Sequence, residues 1–353
     1  MSRRRAGASS GLVGVLPVDK PAGPTSHDVV DAARRALGER RIGHTGTLDP
    51  FASGLLLLCV GVATRLAEYL TGLPKSYSAR ARLGVTTDTL DPEGRVTRTS
   101  DAWRALTPAL VRRAFEAHAG EREQRPPAFS AKKVGGERLY EKARRGEDVQ
   151  PRPVRVMVYG IWVEDCELPD VDFALTCSSG TYVRAVARDV GESLGVGAHL
   201  TALRRTAIGP HRVEGALTPD ELGDGARVRA ALLSPLDALA HLPRVELDSR
   251  EAGAIAHGRP VAVRPDRVRP SKSSVRPFAP EPFVGALGQA AHVPPGAAGA
   301  ASLAGGVDPA LIAAAADPRE EGAPIALAAD GELLAVARLG AGFVRPTKVL
   351  RAD

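Results

Sequence analysis

Apolar side chains recur along this chain with two periods, every second position in some stretches and every third or fourth in others, the marks of strands and helices. Gly11 to Val18 has the character of a strand, ended by Asp19-Lys20-Pro21. Val29, Val30, Ala33 and Leu37 then fall at helical spacing. Thr25-Ser26 supplies an N-cap for that helix, Asp28 stands in the capping-box place, and Gly38 marks the stop. Leu55 to Val60 is an unbroken apolar run of strand length, and Ala63 to Leu70 is expected to be helical. Strict alternation follows, with Tyr77, Ala79, Ala81 and Leu83 on one face and Ser76, Ser78, Arg80 and Arg82 on the other.

Further on, Thr107-Pro108 opens a helix with proline at its first position. Val154 to Val163 and Val171 to Ser178 have the pattern of paired strands. Thr181 to Leu194 is expected to be a helix with Val183, Val186, Val190 and Leu194 inward, and His199 to Ile208 another strand. Hairpin-like neighbours mixed with crossovers predict an α/β (α+β) fold with a mixed, largely antiparallel sheet rather than a doubly wound parallel one.

A boundary is expected near residues 240–245, which places a first domain at 1–242 and a second at 243–353. Residues from about 264 to 322 are dense in Pro, Ala and Gly without periodicity, the composition of a disordered or mobile insertion. Pattern returns at Ile325 to Val349, where Asp330-Gly331 between two apolar runs is a hairpin signal. The second domain is therefore expected to be small, β-rich and interrupted.

Composition narrows the partners. The chain has 353 residues, enough for two domains with real cores, and its formal net charge is +6. A basic balance favours an anionic partner such as nucleic acid or an acidic membrane surface. Cys59, Cys166 and Cys177 are too far apart for a Cys-x-x-Cys pair, so neither a disulfide framework nor a zinc site is supported. Cys59 and Cys177 lie in apolar runs and are expected to be core residues. The charged start of the chain lacks the apolar stretch of a secretory signal, and the apolar run Gly54 to Ala63 is too short to span a bilayer. These features point to a reduced, cytoplasmic, soluble protein. No Walker loop, Gly-x-Gly-x-x-Gly or His-Glu-x-x-His string is present.

Candidate chemistry concentrates in residues 43–54, Gly-His-Thr-Gly-Thr-Leu-Asp-Pro-Phe-Ala-Ser-Gly. One acidic side chain, Asp49, stands in a glycine-punctuated loop. Pro50 fixes its own φ and pushes Asp49 toward an extended conformation. Asp-Pro alone is a common turn, in which the carboxylate bonds its own backbone. The whole string, however, resembles the catalytic motif of the bacterial tRNA pseudouridine synthase B family, which isomerises a uridine in the tRNA T arm. That resemblance implies a pseudouridine-synthase sheet flanked by helices and a PUA-like C-terminal domain. It further implies isomerisation of uridine 55 after base flipping, with an Asp-dependent mechanism and no cofactor. It covers about Gly11 to Ile208 and weakens after residue 215.

Under the same resemblance, Ser179-Gly180-Thr181-Tyr182-Val183-Arg184 is similar to the family's Gly-Thr-Tyr-x-Arg motif, in which the Arg pairs with the catalytic Asp. Arg184 is otherwise a solvated helix residue. Tyr77 stands where the family has a Tyr against the target base, and a sheet-face Tyr is the plain alternative. His44, Tyr182 and Leu203 match positions that hold nucleotides or line the base pocket. Residues 121–155 carry ten Lys/Arg and six Asp/Glu, a net of +4, and the Pro126 to Lys133 stretch resembles the family's RNA-clamping insertion (about 124–152). Lys132 and Lys133 are its candidate phosphate ligands; an ordinary solvated charged helix is the alternative. The expected partner is tRNA, with no metal, no membrane and no obligatory protein partner, and the protein is expected to be a monomer. Opening the tRNA elbow also implies a tRNA-folding role. An RNA-binding protein sharing the fold without catalysis is the rival, as is the relative that works in a guide-RNA particle; the intact Asp49, Tyr77 and Arg184 argue against the first.

Overall fold

The computed structural model describes residues 11–130, 133–134, 137–138, 145, 151–271, 322–340 and 342–350. These fall into two compact units. Residues 11–73, 205–271 and 322–350 form the first, and residues 74–204 the second.

The first unit is organised on one strand. Strand β1 (Gly14–Lys20) leads into helix α1 (Ser26–Leu37), then β2 (Ile42–His44) and β3 (Ser53–Val60). Both β1 and β2 pair antiparallel with β3, Gly14 to Lys20 running against Val60 to Gly54 and Ile42 to His44 against Val60 to Leu58. Leu55 to Val60 are all fully buried, which is why the run lacks the alternation of a half-exposed strand. Alternate side chains go to opposite faces. Leu56, Leu58 and Val60 pack with Val29, Val30 and Ala33 of α1, whereas Leu55, Leu57 and Cys59 join a second cluster.

Helix α1 begins and ends as its sequence dictates. The Thr25 hydroxyl accepts the Asp28 N–H, the Asp28 carboxylate accepts the Thr25 N–H, and Gly38 closes the helix with φ 61°. Strand β1 runs two residues beyond the expected stop at Val18, because Lys20 pairs with Gly54 and buries its ammonium on main-chain oxygens. The expected helix from Ala63 to Leu70 is also corrected. It starts as a 3-10 turn at Gly61–Leu66 and becomes helix α2 only at Ala67–Thr71. The Thr64 hydroxyl donates to the Gly61 carbonyl at 2.9 Å, taking the acceptor that a first α-turn would use.

The second unit opens with β4 (Lys75–Leu83), the hairpin β5 (Val85–Thr87) and β6 (Val96–Thr99), helix α3 (Pro108–Glu116) and β7 (Gly120–Gln124). The paired β8 (Lys133–Val134) and β9 (Glu137–Arg138) follow, then β10 (Val154–Glu167), β11 (Asp170–Cys177) and helix α4 (Val183–Ser193). Strands β4, β11, β10 and β7 lie side by side in that order, every pair antiparallel. The alternation in β4 is used as expected on one side, where Ala79, Ala81 and Leu83 are buried. On the other, Arg80 and Arg82 meet the carboxylates directly opposite in bidentate pairs, Asp172 at 2.5 and 2.6 Å and Asp170 at 2.9 and 2.7 Å. Helix α3 packs on this sheet through Phe115, whose ring centroid is 4.7 Å from that of Phe173.

Strand β12 (Ala198–Ile208) carries the chain back to the first unit, where β13 (His211–Arg212) pairs with its end. Helices α5 (Gly225–Ala231) and α6 (Pro235–Ala238) precede β14 (Arg244–Glu246), α7 (Ser249–Ala256) and β15 (Val261–Ala262). After them come β16 (Pro324–Ala329), β17 (Glu332–Gly340) and β18 (Phe343–Val349). They make a five-stranded sheet ordered β14-β16-β17-β18-β15, in which β14 and β16 are parallel. Asp330 and Gly331, with φ 53° and 81°, form the tight turn signalled by the sequence. This sheet has a core of its own around Val245, Ile255, Leu327 and Val344. Its other face, through Ala326, Leu333 and Val336, shares a cluster with Leu55, Leu57, Leu66 and Leu70. Order extends past residue 264: Arg269 and Arg244 exchange backbone hydrogen bonds, and Arg267 binds the Glu251 carboxylate. Most of the expected insertion, residues 272–321, lies outside the described residues.

Near this shared cluster His241 is half-buried, and partial loss of solvent, aided by His211, pushes its pKa from 6.5 down to about 4. The folded chain thus refuses a proton that the unfolded chain binds, and stability present above pH 6.5 is lost progressively as pH falls toward 4. The full loss is on the order of 3 kcal/mol. Chemical denaturation between about pH 7 and pH 4.5 is expected to show a smaller loss in His241→Leu than in wild type. An equal loss in both would assign the acid sensitivity elsewhere.

Candidate active site

In the first unit the 43–54 segment is a loop with unusually strong main-chain anchorage. The Thr45 N–H donates to the Leu57 carbonyl at 3.1 Å. The Ser26 hydroxyl, at the start of α1, brackets Leu48: it accepts the Leu48 N–H at 2.8 Å and donates to the Leu48 carbonyl at 3.1 Å. The Asp49 carbonyl accepts the Ala52 N–H at 3.1 Å, closing a turn through Pro50. Leu48 and Ala52 are buried on either side of the half-buried Asp49. The side chain therefore leaves a peptide that is fixed at both shoulders.

Two cations complete the anchorage. Lys20, fully buried, donates to the carbonyls of Pro21 (2.9 Å), Pro24 (2.7 Å) and Pro50 (3.2 Å). Arg205 donates to Leu55 (2.7 Å), Gly46 (3.0 Å) and Thr47 (3.4 Å). Gly54 lets β3 approach this region: with φ 105°, a Cβ built on it would lie 2.2 Å from the Arg205 carbonyl oxygen. His44 ends β2, and its Nδ1 accepts the Gly46 N–H at 3.3 Å. Burial, helped by the charge of Arg205 and by His27, lowers the His44 pKa, so the ring is neutral with its remaining proton on Nε2.

The second unit holds the other candidate residues. Arg184 is 3% exposed on α4. Its Nη1 donates to the Asp91 carboxylate at 3.0 Å and the Thr89 carbonyl at 2.8 Å, and its Nη2 to the Phe129 carbonyl at 3.0 Å. A bland solvated helix Arg is thereby excluded. Asp91, itself buried, also accepts the Thr89 hydroxyl and the Glu93 N–H. Tyr182 is the N-cap of α4, and the fully buried Gln124 clamps its peptide from both sides: Gln124 Oε1 accepts the Tyr182 N–H at 2.8 Å and Nε2 donates to its carbonyl at 3.1 Å. Tyr77 is half-buried on β4 opposite Leu175, and Leu203 is buried on β12. Lys133 begins β8, whereas Lys132 lies outside the described residues.

Four residues of this machinery escaped sequence reasoning. In the sequence Lys20 is only part of the Asp19-Lys20-Pro21 strand stop, and Arg205 only one position of the expected strand His199 to Ile208. Asp91 belongs to none of the strings singled out in the sequence. Gln124 opens the expected RNA-clamping insertion, and a buried amide next to a charged segment looks like part of that segment. Among the described residues no group of three or more His, Cys, Asp or Glu is arranged to hold a metal, and no helix is long and apolar enough to cross a membrane.

Comparison with known proteins gives one consistent result. Residues 34–183 match the family model of the TruB family pseudouridylate synthase N-terminal domain, and residues 184–240 that of the tRNA pseudouridylate synthase B C-terminal domain. The tRNA pseudouridine synthase B of Symbiobacterium thermophilum is 47% identical over 267 residues, 75% of this chain and 88% of that protein. The protein of the same name from Burkholderia mallei is 45% identical over 276 residues, 78% of this chain and 88% of the relative. Among solved structures, a chain of a Cbf5-Nop10-Gar1 complex superposes with a TM-score of 0.65 at 25% identity, covering 96% of this chain and 85% of that one. A chain of an H/ACA RNP bound to a substrate RNA containing 2'-deoxyuridine has the same fold, with a TM-score of 0.65 at 23% identity over 96% and 86% of the two chains.

Two substitutions test the anchorage. Gly54→Ala meets both a positive φ and the Arg205 main chain, and is expected to cost more than about 1 kcal/mol in chemical denaturation. Asp91→Ala removes a buried carboxylate from the Arg184 guanidinium, with an expected loss of about 3 kcal/mol or more by the same measurement. Wild-type stability in the second variant would show that Arg184 does not depend on Asp91.

Proposed function

This chain belongs to the TruB family of pseudouridine synthases, tRNA-modifying isomerases, and from that premise we propose that it converts uridine 55 in the T arm of tRNA to pseudouridine, with Asp49 as the reacting carboxylate. The observation that carries the reading is the immobilised peptide around Asp49, held by Ser26, Lys20 and Arg205.

The reaction is an isomerisation. The bond from the ribose to uracil N1 breaks, the base turns, and a bond forms from the same ribose carbon to C5. The proton lost from C5 balances the one gained at N1, so no group or electron is supplied from outside. A carboxylate held in one orientation is suited to stabilise or capture an electron-poor sugar or base, as carboxylates do in glycosidases. Turning the base requires that the nucleotide leave the tRNA fold, at a cost of a few kcal/mol that phosphate contacts offset.

Each remaining candidate takes the role that its place in the family's motifs implies. Arg184 is the cation assigned to Asp49 by the motif it occupies, and the Asp91 carboxylate keeps its guanidinium oriented. Tyr77 stacks on the uracil, and its phenol is the candidate to move a proton. His44, neutral and with Nε2–H available, donates to a nucleotide of the opened loop. Tyr182 and Leu203 line the base pocket, and Lys132 and Lys133 bind phosphate. The C-terminal β-rich region from residue 243 serves as a PUA-like RNA-binding domain. The enzyme acts as a cytoplasmic monomer without an obligatory protein partner, and opening the tRNA elbow gives it a tRNA-folding role.

The test is product mapping. Unmodified tRNA incubated with the purified protein and no added cofactor is expected to gain pseudouridine at position 55 alone, read by base-specific chemistry. Asp49→Asn is expected to lower the single-turnover rate by on the order of a thousandfold or more while keeping tRNA affinity. Normal product formation by that variant would remove Asp49 from the chemistry, and product outside the T arm would change the substrate site.

A further inference from the structure

Arg205 stands out among the residues that the reaction does not touch. It is 2% exposed, and its three hydrogen bonds all go to main-chain carbonyls rather than to a carboxylate. Withdrawing a guanidinium from water is costly, and neutral acceptors repay it poorly. An apolar side chain would suit a core strand better, so the reason for the charge lies in what it holds.

What it holds is the two legs of one loop. Gly46 and Thr47 lie on the leg that enters Asp49, and Leu55 on the leg that leaves it. The guanidinium is a planar group with donors in a fixed fork, so one rigid plate sets the separation of the legs. The main chain of Arg205 adds to this: the Cβ position of Gly54 is 2.2 Å from the Arg205 carbonyl oxygen, so β3 is keyed to the same residue. The three bonds leave three separate nitrogens, Nε, Nη1 and Nη2, a spread of donors that the single nitrogen of a lysine does not have. Arg205 also bears on His44, whose Nδ1 bonds to the Gly46 N–H within the same leg.

We infer that Arg205 is a positioning residue of the isomerisation: its buried guanidinium sets the orientation of the Asp49 carboxylate by fixing the spacing of the loop that carries it. The inference rests on the reading of Asp49 as the reacting group. It requires no contact between Arg205 and the RNA, and it separates Arg205 from Lys20, which binds the outer turn at Pro50.

The experiment compares Arg205→Lys, Arg205→Gln and Asp49→Asn with wild type. Single-turnover rate and tRNA Kd are measured with unmodified tRNA, and backbone amide exchange is followed by mass spectrometry. In the folded Arg205 variants the rate is expected to fall roughly 30-fold or more, the loss that follows a small misplacement of a reacting group, with Kd within about threefold of wild type. Exchange at the Ala52 amide, which bonds to the Asp49 carbonyl, is expected to rise while the β3 core amides stay protected. A merely stabilising residue would loosen both together. An unchanged rate, a Kd that rises in step with the rate loss, or uniform loosening would overturn the inference. So would failure of both variants to fold, which would assign Arg205 to the fold. An active Asp49→Asn would instead overturn the reading of Asp49, whatever the Arg205 variants do.

Discussion

Buried positive charge on main-chain oxygen is the interaction on which the first unit's candidate site depends. A loop of polar and glycine residues has little apolar surface to hold it, and its own conformational entropy works against a fixed shape. Here Lys20 and Arg205, far apart in the sequence, both reach its carbonyls, and Ser26 ties its middle to α1. Charge-assisted bonds in a water-excluded setting are stronger than neutral ones and leave few alternative geometries. The carboxylate that follows from this peptide inherits its order.

The scaffold behind the loop explains how two cations can be buried at all. Strand β3 is apolar on both faces, so a helix layer packs on one side and a mixed layer on the other. The C-terminal parts of β1 and β12 bring Lys20 and Arg205 to main-chain carbonyls. In the second unit the same economy appears with a counter-charge. Arg184 is buried against Asp91, and Gln124 clamps the peptide just before its helix. The first unit thus fixes the main chain around its candidate carboxylate, whereas the second holds its candidate guanidinium directly, on the Asp91 carboxylate and two carbonyls.

Much of this was legible before any coordinates. The capping box at Thr25 and Asp28, the turn at Asp330-Gly331, the buried run at Leu55–Val60 and the antiparallel pairing of Val154–Val163 with Val171–Ser178 all follow from near neighbours in the chain. The helix expected at Ala63–Leu70 was misjudged at its start because a hydroxyl, Thr64, competes for a backbone acceptor, and periodicity is blind to that. The early end assigned to β1 had a similar origin: Lys20 looks like a solvent residue until its acceptors are known. Of the candidate site, the residues proposed to carry chemistry stand in motifs, whereas Lys20, Arg205, Asp91 and Gln124, which hold the main chain or a guanidinium there, do not announce those partners in the sequence.

By itself the sequence determined the element types, the core faces and the chemical character of the loop, because caps, turns and alternation are set by residues a few positions apart. Only the tertiary structure decided which charges are taken out of water and what they bind. Arg184 meets Asp91 across 93 positions and Arg205 meets Leu55 across 150. Such partners are chosen by how the strands close on one another, and a guanidinium on a surface helix and one in a core strand are written with the same letter.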